Sequence, residues 1–254
     1  MKAADWVEGG NRRTMEALRG ERLLDAWAAG RGQHDLRRAL TLLTLTLPET
    51  THGALAAFPI FERDRLLLRL RILSFGSSLQ ATATCPGCAE TVEFLASVTS
   101  ILGESESLAP ESTLDWVESG TRLRLRAVTT LDLLASLEAP DVETAEDILL
   151  SRCLSVDDAF TDVASWAQTP GVRAQFERLH SPMDVSFALT CPHCSHHATL
   201  SLNVPHFVWL EVQHAAKTLL GDIDVLASRY GWSERDIVNM PPRRRAAYLE
   251  LSAT

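Results

Sequence analysis

Two short stretches of the chain decide its fold: ATATCPGCAETVEF at residues 81–94 and FALTCPHCSHHATL at residues 187–200. In each stretch, threonine-rich or alternating segments flank a Cys-Pro-x-Cys turn. This pattern is typical of a β-hairpin that carries two thiols at its tip. The expected strands cover residues 79–84, 91–95, 184–190 and 198–203.

The two turns together have the composition of a metal site. Tetrahedral zinc needs four soft or borderline ligands, and each Cys-x-x-Cys turn supplies two thiolates. We therefore predict a closed, structural Zn²⁺ site formed by Cys85, Cys88, Cys191 and Cys194. The alternatives are two unrelated pairs of reduced thiols, or a redox-active pair, which would favour a helix N-terminus that is not expected here.

Histidines crowd the second turn. They either replace a cysteine as ligand or lie in a solvent-exposed loop, and a complete set of four thiolates favours the second interpretation. These residues are His193, His196 and His197.

The spacing of the two turns is unusual. The turns of zinc ribbons are usually separated by about 15–20 residues, but here 102 residues separate Cys88 from Cys191. Part of this interval, residues 104–162, contains 14 acidic and four basic residues. We interpret it as an acidic domain inserted into one ribbon, so that the metal closes a long loop.

The predicted fold class is α+β, with helical N- and C-terminal parts joined by a split zinc ribbon and a small inserted α+β domain. The predicted parts are a helical part (1–76), a first zinc knuckle (77–96), the acidic insert (97–183), a second knuckle (184–203) and the C-terminal helices (204–254).

Apolar periodicity and cap residues predict the helices. They cover residues 11–29, 35–47, 62–75, 132–138, 142–154, 163–180, 205–230, 234–240 and 243–251. The leucines of 35–47 also fit a strand, and Pro170 with Gly171 should break 163–180. The expected caps are Asp35 for the second helix and either Thr130 or Asp132 for the fourth. A hairpin is expected over residues 115–128, and Cys153 is interpreted as a core residue.

Composition excludes several classes of protein. The net charge of −9 provides no global positive field for nucleic acid or anionic lipid. The sequence contains no apolar run long enough for a transmembrane helix and no signal peptide at its start. An odd count of five cysteines indicates a reducing compartment, so we expect a cytoplasmic protein. Nucleotide-binding and hydrolase motifs are missing, so we expect neither catalytic residues nor a small-molecule substrate.

Residues 224–251 invite comparison with a helix-turn-helix. A recognition helix must be long enough to place several side chains along a groove. Here Pro241 and Pro242 stop the second helix after about two turns. Nucleic-acid binding is therefore the less favoured interpretation, although a zinc-ribbon adaptor or regulator of that kind stays an alternative.

Several segments resemble the baseplate hub assembly proteins of T-even-type phages and their relatives in phage-tail-like contractile injection systems. The similar segments are residues 62–71 with Gly76, both Cys-Pro-x-Cys turns, 148–153, 207–211, 226–237 and 243–250. The resemblance implies assembly of a baseplate or its hub, as a chaperone that is absent from the finished particle, and no enzyme activity. A permanent structural subunit of the baseplate is the other alternative.

Large amphipathic side chains and arginines are concentrated near the C-terminus. Interfaces favour Trp, Tyr and Arg, so we predict a surface there that binds baseplate or tail-hub proteins. A local aromatic core is the competing interpretation. The residues are Trp209, Tyr230, Trp232, Arg243, Arg244, Arg245 and Tyr248.

Overall fold

Helices from both ends of the chain pack together, and the described strands form three two-stranded hairpins and one three-stranded sheet. The computed structural model describes residues 3–8, 11–108, 111–157, 163–181 and 185–252. In chain order, the elements are β1 (Ala3–Glu8), β2 (Asn11–Glu16), α1 (Glu21–Gly30), α2 (Asp35–Thr46), α3 (His52–Ala56), α4 (Ile60–Phe75), β3 (Ser78–Thr84), β4 (Thr91–Ser97), α5 (Val98–Leu108), β5 (Thr113–Glu118), β6 (Thr121–Arg126), α6 (Thr130–Ser136), α7 (Val142–Cys153), β7 (Leu154–Val156), α8 (Val163–Ala167), α9 (Pro170–His180), β8 (Ser186–Thr190), β9 (His197–Ser201), α10 (Val204–Tyr230), α11 (Glu234–Asn239) and α12 (Pro242–Ser252).

The N-terminus differs from the sequence prediction. The helix predicted from residue 11 is wrong, because residues 11–16 form β2 and pair antiparallel with β1. The first helix begins only at Glu21, after Gly20, whose φ of 55° lies in the left-handed region. The three-residue spacing of Met15 and Leu18 favours a helix. Met15 nevertheless lies in β2, which pairs with β1, and Leu18 lies in the connection that follows.

The main core combines segments from before and after the insert. Buried leucines of α2 and α4 pack against buried residues of α10 such as Val208 and Val212. The strand alternative for α2 is wrong, because Leu40, Leu43 and Leu47 lie on one helical face in this core. The cap of α2 is His34, whose ring accepts the N–H of Leu36, and not Asp35 as predicted.

The two predicted hairpins form, as β3–β4 and β8–β9. Their inner faces contribute a small apolar cluster of Val92, Leu189 and the two buried cysteines, with Phe94 and Leu200 packed against it. Because this cluster is far smaller than the helical core, burial alone contributes little to holding the hairpins together.

The middle of the chain has a second core. Strands β5, β6 and β7 form an antiparallel sheet, and α6 to α9 supply apolar residues to the same cluster. Phe61 of α4 belongs to this cluster, and the Ile60 N–H donates to the Val128 carbonyl at 3.0 Å. The segment therefore packs on the start of α4 as well as on itself.

Two details of this region correct or confirm the sequence analysis. The cap of α6 is Thr129, not Thr130 or Asp132, and Asp132 completes its capping box. The break predicted at Pro170 occurs, since α9 begins there. Helix α5 and the short elements α3 and β7 were not predicted. Among the described residues, no helix is both long and apolar enough to cross a membrane.

Candidate metal centre

The two Cys-Pro-x-Cys turns have the same backbone geometry. In the first, the Cys85 N–H donates to the Glu90 carbonyl at 2.9 Å and the Ala89 N–H donates to the Cys85 carbonyl at 2.8 Å. In the second, the Cys191 N–H donates to the His196 carbonyl and the Ser195 N–H to the Cys191 carbonyl, both at 2.9 Å. Ala89 and Ser195 also share a left-handed φ, of 61° and 57°.

This geometry brings the four sulfurs together from opposite ends of the insert. The Sγ atoms of Cys85 and Cys194 lie 3.7 Å apart, as do those of Cys88 and Cys191. All four sulfurs lie within 4.8 Å of one another. We call these four residues the cysteine cluster.

The cluster fits a tetrahedral metal ion. Sulfurs held at about 2.3 Å from such an ion would lie about 3.8 Å apart, which agrees with the two closest pairs. Two of the cysteines, Cys85 and Cys191, are buried, and the other two are exposed. The four thiols therefore can bind a metal ion without a large rearrangement.

The pKa values of the four thiols separate into two groups. Burial raises the pKa of Cys85, but the N–H groups of Gly87 and Cys88 and the neighbouring thiols outweigh burial and lower the pKa to about 7. In Cys88, burial and the adjacent sulfurs outweigh the N–H of Glu90 and raise the pKa to about 12. Burial raises the pKa of Cys191, but the N–H groups of Cys194 and His193 outweigh burial and lower it. The N–H of His196 lowers the pKa of Cys194, but burial and the thiols of Cys85 and Cys191 outweigh it and raise the pKa. One thiolate thus opposes ionisation of its neighbour, and a divalent cation would remove this repulsion.

The histidines near the second turn do not join the cluster. Among the described residues, the group that can hold a metal contains the four cysteines and no histidine. The Nδ1 atom of His197 lies 2.9 Å from Oγ1 of Thr190. His196 packs on the opposite turn, where a Cβ atom built on Gly87 would lie 2.9 Å from its Cγ atom.

An ion pair that the sequence analysis missed fixes the base of the first hairpin. The buried guanidinium of Arg71 on α4 binds both carboxylate oxygens of Glu211 on α10, at 2.6 and 2.8 Å. It also donates to the carbonyls of Gly76 and Ser78, where the chain leaves α4 and enters β3. An arginine within the leucine-rich run of α4 was the available signal.

A second missed network lies in the insert. Asp132 is buried, and it accepts hydrogen bonds from Arg126 at 2.6 and 3.0 Å, from Arg152 at 2.8 Å and from the Thr129 hydroxyl at 2.7 Å. Burial raises the pKa of this carboxyl group, but the two guanidinium groups and Thr129 outweigh burial and hold it below the usual range. Cys153 packs beside it as a core residue, and burial raises the pKa of its thiol to about 12.

The structure brings some residues of the predicted partner surface together and separates others from them. Tyr230, Trp232 and Tyr248 form the C-terminal aromatic cluster, with ring centroids 4.6 to 5.8 Å apart. Arg243 and Arg244 are exposed, and the Arg244 guanidinium lies 6.0 Å from the Tyr248 centroid. The remaining arginine, Arg245, is partly buried in an ion pair with Asp222.

The assignment of Trp209 to the partner surface is wrong. Its side chain is 2% exposed and belongs to the helical core. Gly30 and Arg38 enclose it: a Cβ atom on Gly30 would lie 2.4 Å from the indole, and the Arg38 guanidinium lies 4.5 Å from its centroid. A side chain covered in this way cannot contact a partner.

Comparison with known proteins identifies the family. The sequence profile of the T4 bacteriophage base plate protein family matches residues 40–209, about two-thirds of the chain. The chain belongs to this family. The match includes all four cysteines of the cluster, the whole of α4 and the start of α10, so membership supports a role in a phage baseplate. No curated protein and no solved structure matches the chain.

Proposed function

We propose that this base plate family member is a non-enzymatic assembly factor, or chaperone, for the baseplate hub of a contractile phage tail or phage-tail-like injection system. The family match over residues 40–209 carries the proposal. Missing catalytic motifs and the use of four of the five cysteines in a closed set support a structural role rather than a chemical one. On this proposal, its partners are baseplate or tail-hub proteins in the cytoplasm.

We propose Zn²⁺ as the ion of the cysteine cluster. Four thiolates are a donor set typical of structural zinc, and iron is the main competitor for a tetrahedral sulfur site. The ion would join the two hairpins, and thus the two ends of the acidic insert. No ligand position would stay open for water or substrate.

The C-terminal aromatic cluster is the proposed partner surface. Its rings are partly exposed, the Arg244 guanidinium lies 6.0 Å from the Tyr248 centroid, and the neighbouring Arg243 is exposed as well. The double variant Arg243→Glu/Arg244→Glu should weaken capture of baseplate proteins from the native host. Arg37→Glu/Arg178→Glu makes the same charge change at exposed positions elsewhere and is the matched control. Equal capture by both double variants would place the surface elsewhere.

A permanent structural subunit is the second candidate, because the family description is that of a base plate protein. Purified finished particles distinguish the two candidates by quantitative mass spectrometry. An assembly factor is found with baseplate proteins in the lysate and is lost from the particle, whereas a subunit stays in fixed stoichiometry. Absence from both samples would contradict a baseplate role.

A further inference from the structure

A groove of about 740 Å³ separates strand β3 from helix α10, and the end of β9 lines it too. Its walls are largely apolar and include Phe94, Leu200, Phe207 and Leu210. The Leu210 side chain is 48% exposed in the groove, although it is a large aliphatic residue. We call this feature the strand groove. It lies at the opposite end of α10 from the C-terminal aromatic cluster.

One wall of the strand groove is an open strand edge. Within the described residues, β3 pairs with β4 alone. The Cys85 N–H donates to the Glu90 carbonyl, and the Val98 N–H donates to the Ser77 carbonyl. Residues 77 and 85 therefore bond to the strand opposite, and every second residue between them does the same. By that alternation, the backbone groups of Gln80, Thr82 and Thr84 point away from β4. The same three residues line the groove.

This edge lacks the features that usually protect a strand edge. Exposed edges are commonly blunted by lysine, proline, a bulge or a covering element. Strand β3 has the sequence SLQATAT, which contains neither charge nor proline. Its outward residues Gln80, Thr82 and Thr84 are exposed. The outward donors and acceptors of β3, beside an apolar wall, are therefore available to an occupant that supplies backbone partners.

The charges around the groove restrict that occupant. The carboxylate in its lining is Glu211, and Arg71 already neutralises it. His206 lies at 3.0 Å from Asp35 and not across the groove. The other titratable residue of the lining is His214, and the lining contains no lysine, no arginine and no unpaired carboxylate. A charged side chain entering the groove would therefore meet no permanent counter-charge, so the occupant should be uncharged.

We propose that the strand groove binds an extended, uncharged segment of a partner protein, which adds to β3 as a new edge strand. Its backbone pairs with Gln80, Thr82 and Thr84, and its alternate apolar side chains enter between Phe94 and Leu210. A helix would satisfy its own backbone groups and leave the edge of β3 unpaired. Six residues, about 20 Å of strand, would cover the edge.

The first test uses a labelled probe peptide with alternating valine and threonine between terminal lysines. Saturable binding should protect the amides of Gln80, Thr82 and Thr84 from hydrogen exchange. Thr82→Pro should weaken binding at least about tenfold, because it removes one outward donor and blocks pairing. Its matched control is Glu93→Pro, since Glu93 lies directly opposite Thr82 and its N–H points to the other edge of the hairpin.

A second pair of variants keeps the test decisive if a proline disrupts the hairpin. Leu210→Lys puts a charge in the groove, while Leu220→Lys changes a similarly exposed leucine of α10 outside it. The proposal expects loss of binding in the first and retention in the second. No saturation by about 1 mM peptide, equal effects within either pair, or tighter binding of an amphipathic helical peptide would overturn it.

Discussion

The segments before and after the insert meet at two places that differ in what joins them. At the helical core, α4 and α10 share buried leucines and valines and the bidentate pair of Arg71 and Glu211. At the hairpins, a small apolar cluster supports four thiols that stay mutually repulsive when ionised. The first contact is complete with protein groups alone, whereas on the zinc proposal the second depends largely on a bound cation. Without a cation, the helical core should therefore contribute more to stability than the hairpins do.

The largest expected effect is loss of the proposed zinc ion from the hairpins. Cys88→Ser removes one of four ligands from a site whose binding free energy, about 10–16 kcal/mol in small zinc peptides, is coupled to folding. Hydrogen exchange should show β3, β4, β8 and β9 losing protection, and the melting temperature should fall. Cys153→Ser is the control, and it should keep the metal. An unchanged melting temperature and metal content in Cys88→Ser would contradict the comparison.

The next-largest effect concerns the ion pair in the helical core. Arg71→Met leaves Glu211 and two carbonyl groups without their partner, and breaking a buried pair from one side typically costs about 3–5 kcal/mol. Arg124→Met breaks the exposed pair with Asp115 and should cost less than about 1 kcal/mol. Chemical denaturation measures both free energies of unfolding. Similar losses in the two variants would show that the buried pair contributes no more to the free energy of unfolding than the exposed pair.

Asp132 tests whether the insert has a stabilising centre of its own. Asp132→Asn should cost about 2–4 kcal/mol, because Arg126 and Arg152 lose their carboxylate. The pKa of Asp132 is lower in the folded chain than in the unfolded chain. Its contribution is therefore present above about pH 4 and is lost as the pH falls toward the folded pKa. Unfolding followed between neutral and acidic pH should show a weaker pH dependence in the variant, and an identical dependence would refute this assignment.

The smallest effect concerns the contact between the two turns. In Gly87→Ala, the new Cβ atom would lie 2.9 Å from Cγ of His196 on the other turn, so His196 or the turn must shift. Because both residues are exposed, we expect a smaller cost than for overpacking in a core. Gly103→Ala meets open space and is the control. Competition with a chelator should show faster metal release from the first variant. Equal release from both would mean that the turns separate without resistance.

Local chemistry explains what the sequence predicted correctly. The hairpins depend on alternation and on Cys-Pro-x-Cys turns, and the break at Pro170 follows from a missing N–H, so neighbouring residues suffice. Long-range partners explain the errors. Residues 11–16 became a strand because another strand lies beside them, and Trp209 became a core residue because Gly30 and Arg38 enclose it.

The sequence predicted which four cysteines lie together, but not the contacts that support them. Repeated cysteine spacing indicates four candidate ligands, because a tetrahedral ion demands that number. The Arg71 pair joins residues 140 positions apart, and no local pattern indicates which carboxylate an arginine will meet. The strand groove is equally non-local, since it forms only where β3 and α10 come together.

X-ray absorption at the zinc edge, combined with elemental analysis of the purified full-length chain, tests the central claim most directly. The account predicts about one zinc per chain with four sulfur neighbours at about 2.3 Å and no nitrogen or oxygen ligand. Protein that stays folded with both hairpins protected and contains no metal would contradict it. So would a zinc ion with histidine in its first shell.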